Sequence, residues 1–153
     1  MSSSTTSHAY GIGLIALLVA VGASTVFYTG FYLPESLAKP SVSEHILDPE
    51  ETFVINIVLG AVIEGNDNYV PNKPIITLET NNLVKWINQD DTAHTVTPDH
   101  RADDSYSGEF GSPGVILPGE EYEFLFTEPQ EVPYHCSPHP WMTGTITVEI
   151  GKF

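Results

Sequence analysis

The sequence predicts an all-β domain, a Greek-key β-sandwich, preceded by one transmembrane helix. Three observations carry that expectation. A stretch without a charged side chain runs from Ala9 to Leu33. Beyond residue 51, short runs rich in Val, Ile and aromatic residues alternate with turn residues. No later segment sustains a helical apolar period. A chain of 153 residues has room for one ordinary domain with appendages.

Residues 1–8 are rich in Ser and Thr and read as an N-terminal tail. Residues 9–33 follow as a helix. At ~1.5 Å per residue that length crosses a hydrocarbon core of about 30 Å with some tilt. Tyr10 near its start and Phe27, Tyr28, Phe31 and Tyr32 near its end suit the two membrane interfaces. Pro34 is expected to end it. A cleaved signal peptide is the competing reading, with Ala20-Val21-Gly22-Ala23 as the cleavage site. The basic n-region and short apolar core of such a peptide are missing, which favours an uncleaved anchor. Residues 34–51 mix Pro, Ser and acidic side chains and read as a tether, with His45 in solvent.

The β domain is expected over residues 52–153. Phe53 to Ile63 is rich in Val and Ile, and Asn66-Asp67-Asn68 and Pro71-Asn72-Lys73-Pro74 punctuate the chain after it. Ile75 to Leu78 and Leu83 to Ile87 read as strands. Tyr122, Phe124 and Phe126 alternate with Glu121, Glu123 and Leu125. In the last strand Ile146, Val148 and Ile150 are expected inward, with Thr145, Thr147 and Glu149 outward. Together these runs suggest an antiparallel sandwich.

Five Lys and Arg face 20 Asp and Glu, a formal charge of −15. Nothing basic is available to neutralise phosphates, so nucleic acid is excluded as a partner. The acidity spreads from Glu35 to Glu149, which serves solubility and could steer a basic partner. One cysteine allows no internal disulfide.

That cysteine lies in Tyr134-His135-Cys136-Ser137-Pro138-His139-Pro140-Trp141-Met142, at Cys-x2-His-x2-Met spacing. Thiolate, imidazole and thioether are the donors of a soft one-electron copper site, which wants one further imidazole. Asp91-Thr92-Ala93-His94-Thr95-Val96 offers it. The expectation is that His94, Cys136, His139 and Met142 close on one copper ion that stores and passes single electrons. Pro138 and Pro140 stiffen the loop and reduce the entropy lost when its donors converge. His135 adjoins Cys136 in a strand and points to the opposite face, so it is not a ligand. His100, with Asp99, Asp103 and Asp104, is a weak auxiliary metal candidate, and a solvated acidic loop is the preferred reading.

The run Leu117-Pro118-Gly119-Glu120, then Tyr122 to Phe126, then Val132 to Ile146 resembles the C-terminal half of plastocyanin- and amicyanin-type cupredoxins. Val84-Lys85-Trp86-Ile87-Asn88 with Ala93-His94-Thr95-Val96 is similar to the strand and loop bearing their first histidine ligand. The resemblance covers roughly residues 52–150 and implies a type 1 (blue) copper site. In it His94, Cys136 and His139 would be equatorial ligands and Met142 a weak axial one. It further implies an electron carrier and not an enzyme, with redox proteins as donor and acceptor and no small-molecule substrate. Electrons would pass at the edge of His139, among Pro138, Pro140 and Trp141. The domain would lie on the periplasmic or extracellular side. Thr95 stands where relatives often have Asn. A binuclear-copper oxidase subunit would need two cysteines, and a nitrite-reductase-like enzyme a second copper with an open position. A cysteine hydrolase finds no nucleophile-bearing helix start. A subunit of a larger membrane redox complex and a copper carrier are the remaining alternatives.

Overall fold

The computed structural model describes residues 5–37 and 41–151. It divides into two compact units, Met1–Lys39 and Pro40–Phe153.

The first unit is helical. Helix α1 spans Thr5–Phe27, a π-helical turn follows over Tyr28–Tyr32, and α2 spans Leu33–Ser36. The stretch Tyr10–Ser36 is long and apolar enough to cross a membrane. Pro34 does not end the helix as expected. A proline ring crowds the carbonyl four residues before it, and the wider π turn gives that carbonyl room. The N–H of Leu33 accordingly bonds the carbonyl of Tyr28, five residues back. Thr25 and Thr29 donate their hydroxyls to the carbonyls of Val21 and Thr25, both at 2.8 Å. Such back-bonding leaves neither hydroxyl unsatisfied in an apolar medium.

In the second unit, two four-stranded sheets face each other. The first has the order β2 (Tyr69–Val70), β1 (Thr52–Ile57), β4 (Leu83–Asn88), β8 (Glu121–Leu125). The second has the order β3 (Ile75–Thr77), β10 (His139–Glu149), β9 (Gln130–Cys136), β5 (Thr97–Pro98). A small hairpin, β6 (Asp103–Asp104) with β7 (Gly108–Glu109), sits in the acidic excursion. The sheets are mixed, which corrects the purely antiparallel expectation: β1 runs parallel to β4, and β3 parallel to β10. The sequence alternation that marks a strand carries no information on its direction.

Inward positions of both sheets form one core containing Ile55, Ile57, Val84, Trp86, Phe124, Phe126, Val132, Tyr134, Ile146 and Val148. One inward assignment fails at a strand end, that of Ile150, which is exposed because β10 stops at Glu149. β1 stops at Ile57 and turns through Gly60, at φ +82°, so Ile63 is exposed as well.

Part of the segment expected to be a tether packs on this domain. Ser43 caps a short helix α3, Glu44–Leu47. Asn82 donates to the Ile46 carbonyl at 2.9 Å, and the Ile46 side chain packs on the core. His45 is exposed, as expected.

The pairing of β9 with β10 sets the geometry of the cysteine loop. His139 pairs directly with Cys136, and a bulge then separates His139 from Thr143. The last strand therefore begins earlier than the sequence suggested, and Met142 lies in its irregular part. Further along, Gly144 faces Tyr134 so closely that a Cβ there would fall 2.4 Å from the ring's Cζ.

Candidate metal centre

Strand β9 alternates Val132, Tyr134 and Cys136 inward, each essentially inaccessible. This period of two sends His135 outward, where its Nδ1 lies 2.6 Å from Asp99 Oδ1. Cys136 Sγ, at the end of the strand, meets His139 Nδ1 at 3.5 Å across the tight turn.

His94 comes from the stretch between β4 and β5. It forms a two-bond bridge with Ile116, at 3.1 and 2.7 Å, which fixes its backbone. Its ring is fully buried, and its Nδ1 lies 3.6 Å from Cys136 Sγ. Each of His94, Cys136 and His139 offers a donor atom within 4.8 Å of the others. Met142 is also fully buried, in the same core cluster as Cys136. Among the described residues, no other group of His, Cys, Asp and Glu side chains converges in this way. His100 in particular is exposed, and its acidic neighbours have other partners. Asp99 bonds His135, Asp103 bonds Arg101, and Asp104 bonds Thr127.

Several residues around the three donors were not singled out in the sequence. Asp90, with a side chain wholly out of solvent, places Oδ2 2.8 Å from His94 Nε2. Its Oδ1 accepts from the N–H groups of Gly60 and Asp91, both at 2.9 Å. Asn88 organises the same turn: its Oδ1 accepts from Asp90 N, and its Nδ2 donates to the carbonyls of Thr92 and Ile116. The available signal was a buried-strand register ending in Asn-Gln-Asp-Asp, with an acid four residues before the histidine.

Thr95 donates its backbone N–H to Cys136 Sγ at 3.3 Å. Its hydroxyl accepts from Ser137 N at 2.9 Å and pairs with Thr97, which pairs with Ser137. Three hydroxyls thus tie the His94 loop to the cysteine loop.

The electrostatics follow from these contacts. Burial alone would push the Cys136 thiol up, but His94 and the Thr95 donors bring it below its ordinary value. Burial would depress His94, and the sulfur and the Asp90 carboxylate raise it instead. His139 is lowered, by burial first and then by the neighbouring His94. Asp90 is lowered: burial opposes its charge, but the Gly60 N–H and His94 outweigh that cost.

The donor set fits a first-row ion that accepts thiolate and imidazole. A nitrogen at ~2.0–2.1 Å and a sulfur at ~2.3 Å from one centre are about 3.5–3.8 Å apart over the usual range of ligand angles. The two observed sulfur–nitrogen separations, 3.5 and 3.6 Å, lie within that range.

A family model described as copper binding proteins, plastocyanin/azurin family, matches residues 60–149. The chain belongs to that family. This cupredoxin is similar to amicyanin from Paracoccus denitrificans, 31% identical over 91 residues that make up 59% of the chain and 66% of the relative. Amicyanin from Paracoccus versutus is 28% identical over a match of the same length. The match therefore spans slightly less than two thirds of these curated relatives. Among solved structures, a novel purple cupredoxin from Nitrosopumilus maritimus superposes with a TM-score of 0.52 at 28% identity, covering 63% of this chain and 99% of that one. A copper-containing nitrite reductase from Thermus scotoductus also gives 0.52, at 23% identity, over 75% of this chain and 28% of that one, and shares the fold alone. The cupredoxin family and the His94–Cys136–His139 cluster together make this a protein of one copper ion.

Proposed function

We propose that this cupredoxin is a single-electron carrier, without enzymatic turnover of its own, in which His94, Cys136 and His139 would hold the copper ion and Met142 would add a weaker fourth donor. The observation that carries the reading is the convergence of one thiol and two imidazole Nδ1 atoms, from distant parts of the chain, at separations matching one small ion. When bound, copper supplies a Cu(II)/Cu(I) couple.

The chain's own residues do the rest. The His94–Ile116 bridge, the Cys136–His139 pairing and the Thr95–Thr97–Ser137 hydroxyl contacts hold the donors in a fixed arrangement. A site held this way reorganises little between oxidation states, which keeps the transfer barrier low. The core side chains around Cys136 keep water from the sulfur. His139 is only partly covered, and Pro138, Pro140 and Trp141 around it are exposed. This patch supports the edge of His139 as the point where electrons enter and leave.

The partners are redox proteins that dock there, and the acidity of the chain favours a basic rim on them. The segment Tyr10–Ser36 supports a membrane anchor, and membership of the cupredoxin family favours the periplasmic or extracellular side for the copper domain. The test is visible absorption of the copper-loaded chain and its Cys136→Ser variant. The native protein shows an intense thiolate-to-copper band in the visible, and the variant lacks it. Retention of the band in Cys136→Ser refutes the ligand assignment.

A further inference from the structure

Resting on that ligand assignment, we infer that Asp90 is a positioning residue for the copper couple: its carboxylate fixes the ring of His94 and biases the site toward the oxidised state.

The geometry assigns this role in two steps. Asp90 Oδ2 lies 2.8 Å from His94 Nε2, and neither side chain is accessible. A carboxylate only accepts, so the bond requires Nε2 to carry the proton. That leaves Nδ1 as the free lone pair, and Nδ1 is the atom 3.6 Å from Cys136 Sγ. The tautomer that a metal needs is therefore set by a residue outside the donor set.

The second step is charge. Asp90 does not swing freely, because Gly60 N–H and Asp91 N–H hold its other oxygen, and Asn88 holds its backbone. Apart from the His94 ring its hydrogen-bond partners are backbone N–H groups, and among the described residues no Lys or Arg side chain pairs with it. A fixed anion in a dry interior, one imidazole away from the metal position, favours the more positive of two oxidation states. It acts through His94, and not by touching copper.

Gly60 extends the consequence to the surface. It sits at φ +82° in the turn that also carries the exposed Leu59 and Ile63, so this projecting turn is pinned to the outer nitrogen of His94 through one carboxylate.

The test compares the copper-loaded full chain with Asp90→Asn, which keeps the shape and removes the charge. Redox titration should show about tenfold more Cu(I) in the variant at a fixed ambient potential, equal to ~59 mV for one electron. The visible band should stay close to that of the native protein. An unchanged or lowered potential with the band intact overturns the proposal and leaves Asp90 a structural cap. Should Asp90→Asn fail to fold, proton NMR of the reduced native protein decides. A slowly exchanging, strongly downfield Nε2–H on His94 supports the bond, and its absence overturns it. Failure of the ligand assignment itself is distinguishable, because the native protein would then lack the visible band altogether.

Discussion

Gly144→Ala tests the packing that holds the cysteine strand in place. An added Cβ would lie 2.4 Å from Tyr134 Cζ, 2.5 Å from its hydroxyl and 2.8 Å from Cε1. Carbon atoms prefer ~3.5–4.0 Å, so the ring must retreat by about 1 Å. It has nowhere simple to go. Tyr134 is fully buried, edge-on to Tyr69 at 4.9 Å and to Trp86 at 5.8 Å, and accepts a bond from Trp86 Nε1 at 3.3 Å. Overpacking of this kind costs ~1–3 kcal/mol, and loss of the Trp86 bond adds about 1 kcal/mol. Taking ~3 kcal/mol at about 4 °C per kcal/mol, thermal unfolding of the copper-free protein should fall by roughly 12 °C. Circular dichroism reads the midpoint. Removing the hydroxyl as well, in Gly144→Ala with Tyr134→Phe, should recover little, because two of the three close atoms are ring carbons. A midpoint within about 2 °C of the native value, where an innocuous surface change would put it, refutes the account. Full recovery in the double variant would mean that only the hydroxyl obstructs, and that the ring lies elsewhere.

Two further outcomes follow from the surface and from the acidic hairpin. Trp141→Glu places a charge against the exposed side of His139, whose ring lies 5.4 Å from the indole. Electron exchange with a redox partner should slow at least tenfold while the visible band stays unchanged, as stopped-flow would show, and loss of the band would make Trp141 structural. Asp104 is buried, and burial opposes its charge, yet donors from Ser107, Thr127 and Tyr106 hold its carboxyl below the ordinary value. A lowered folded value means the unfolded chain binds more protons in that range. The contribution is thus complete above pH ~4 and lost as pH falls through the folded value. Asp104→Asn should cost ~2–3 kcal/mol near neutral pH in urea titrations, and the cost should shrink below pH ~4. A cost that is the same at pH 3 and pH 7 would contradict this sign.

The convergence of His94, Cys136 and His139 was legible because copper chemistry restricts residue types and a short loop restricts the spacing of the last two. Cys136 and His139 lie three positions apart, and the period of two in β9 correctly separated Cys136 from His135. The core was legible for the same reason, since burial on one face of a strand writes itself as alternation. What was hidden depends on how the chain returns. Parallel pairing of β1 with β4 is set by the crossing of residues 58–82 between sheets, which leaves no local signature. The role of Asp90 was hidden because Gly60, which holds its other carboxylate oxygen, is a neighbour only in space. The end of the helix was misjudged because a π turn just before Pro34 accommodates the ring that would otherwise stop it.

The docked segment before β1 bears on where the copper domain can be separated from its helix. Glu51 donates to the Thr80 carbonyl at 2.8 Å, and Asn82 reaches Ile46. Excision at Thr52, where the regular strand begins, would strip the sandwich of a side chain that covers its core and strand an amide proton of a buried asparagine. A cut upstream of Ser43 keeps both, so the stretch that belongs to the copper domain begins earlier than the change in sequence texture implies.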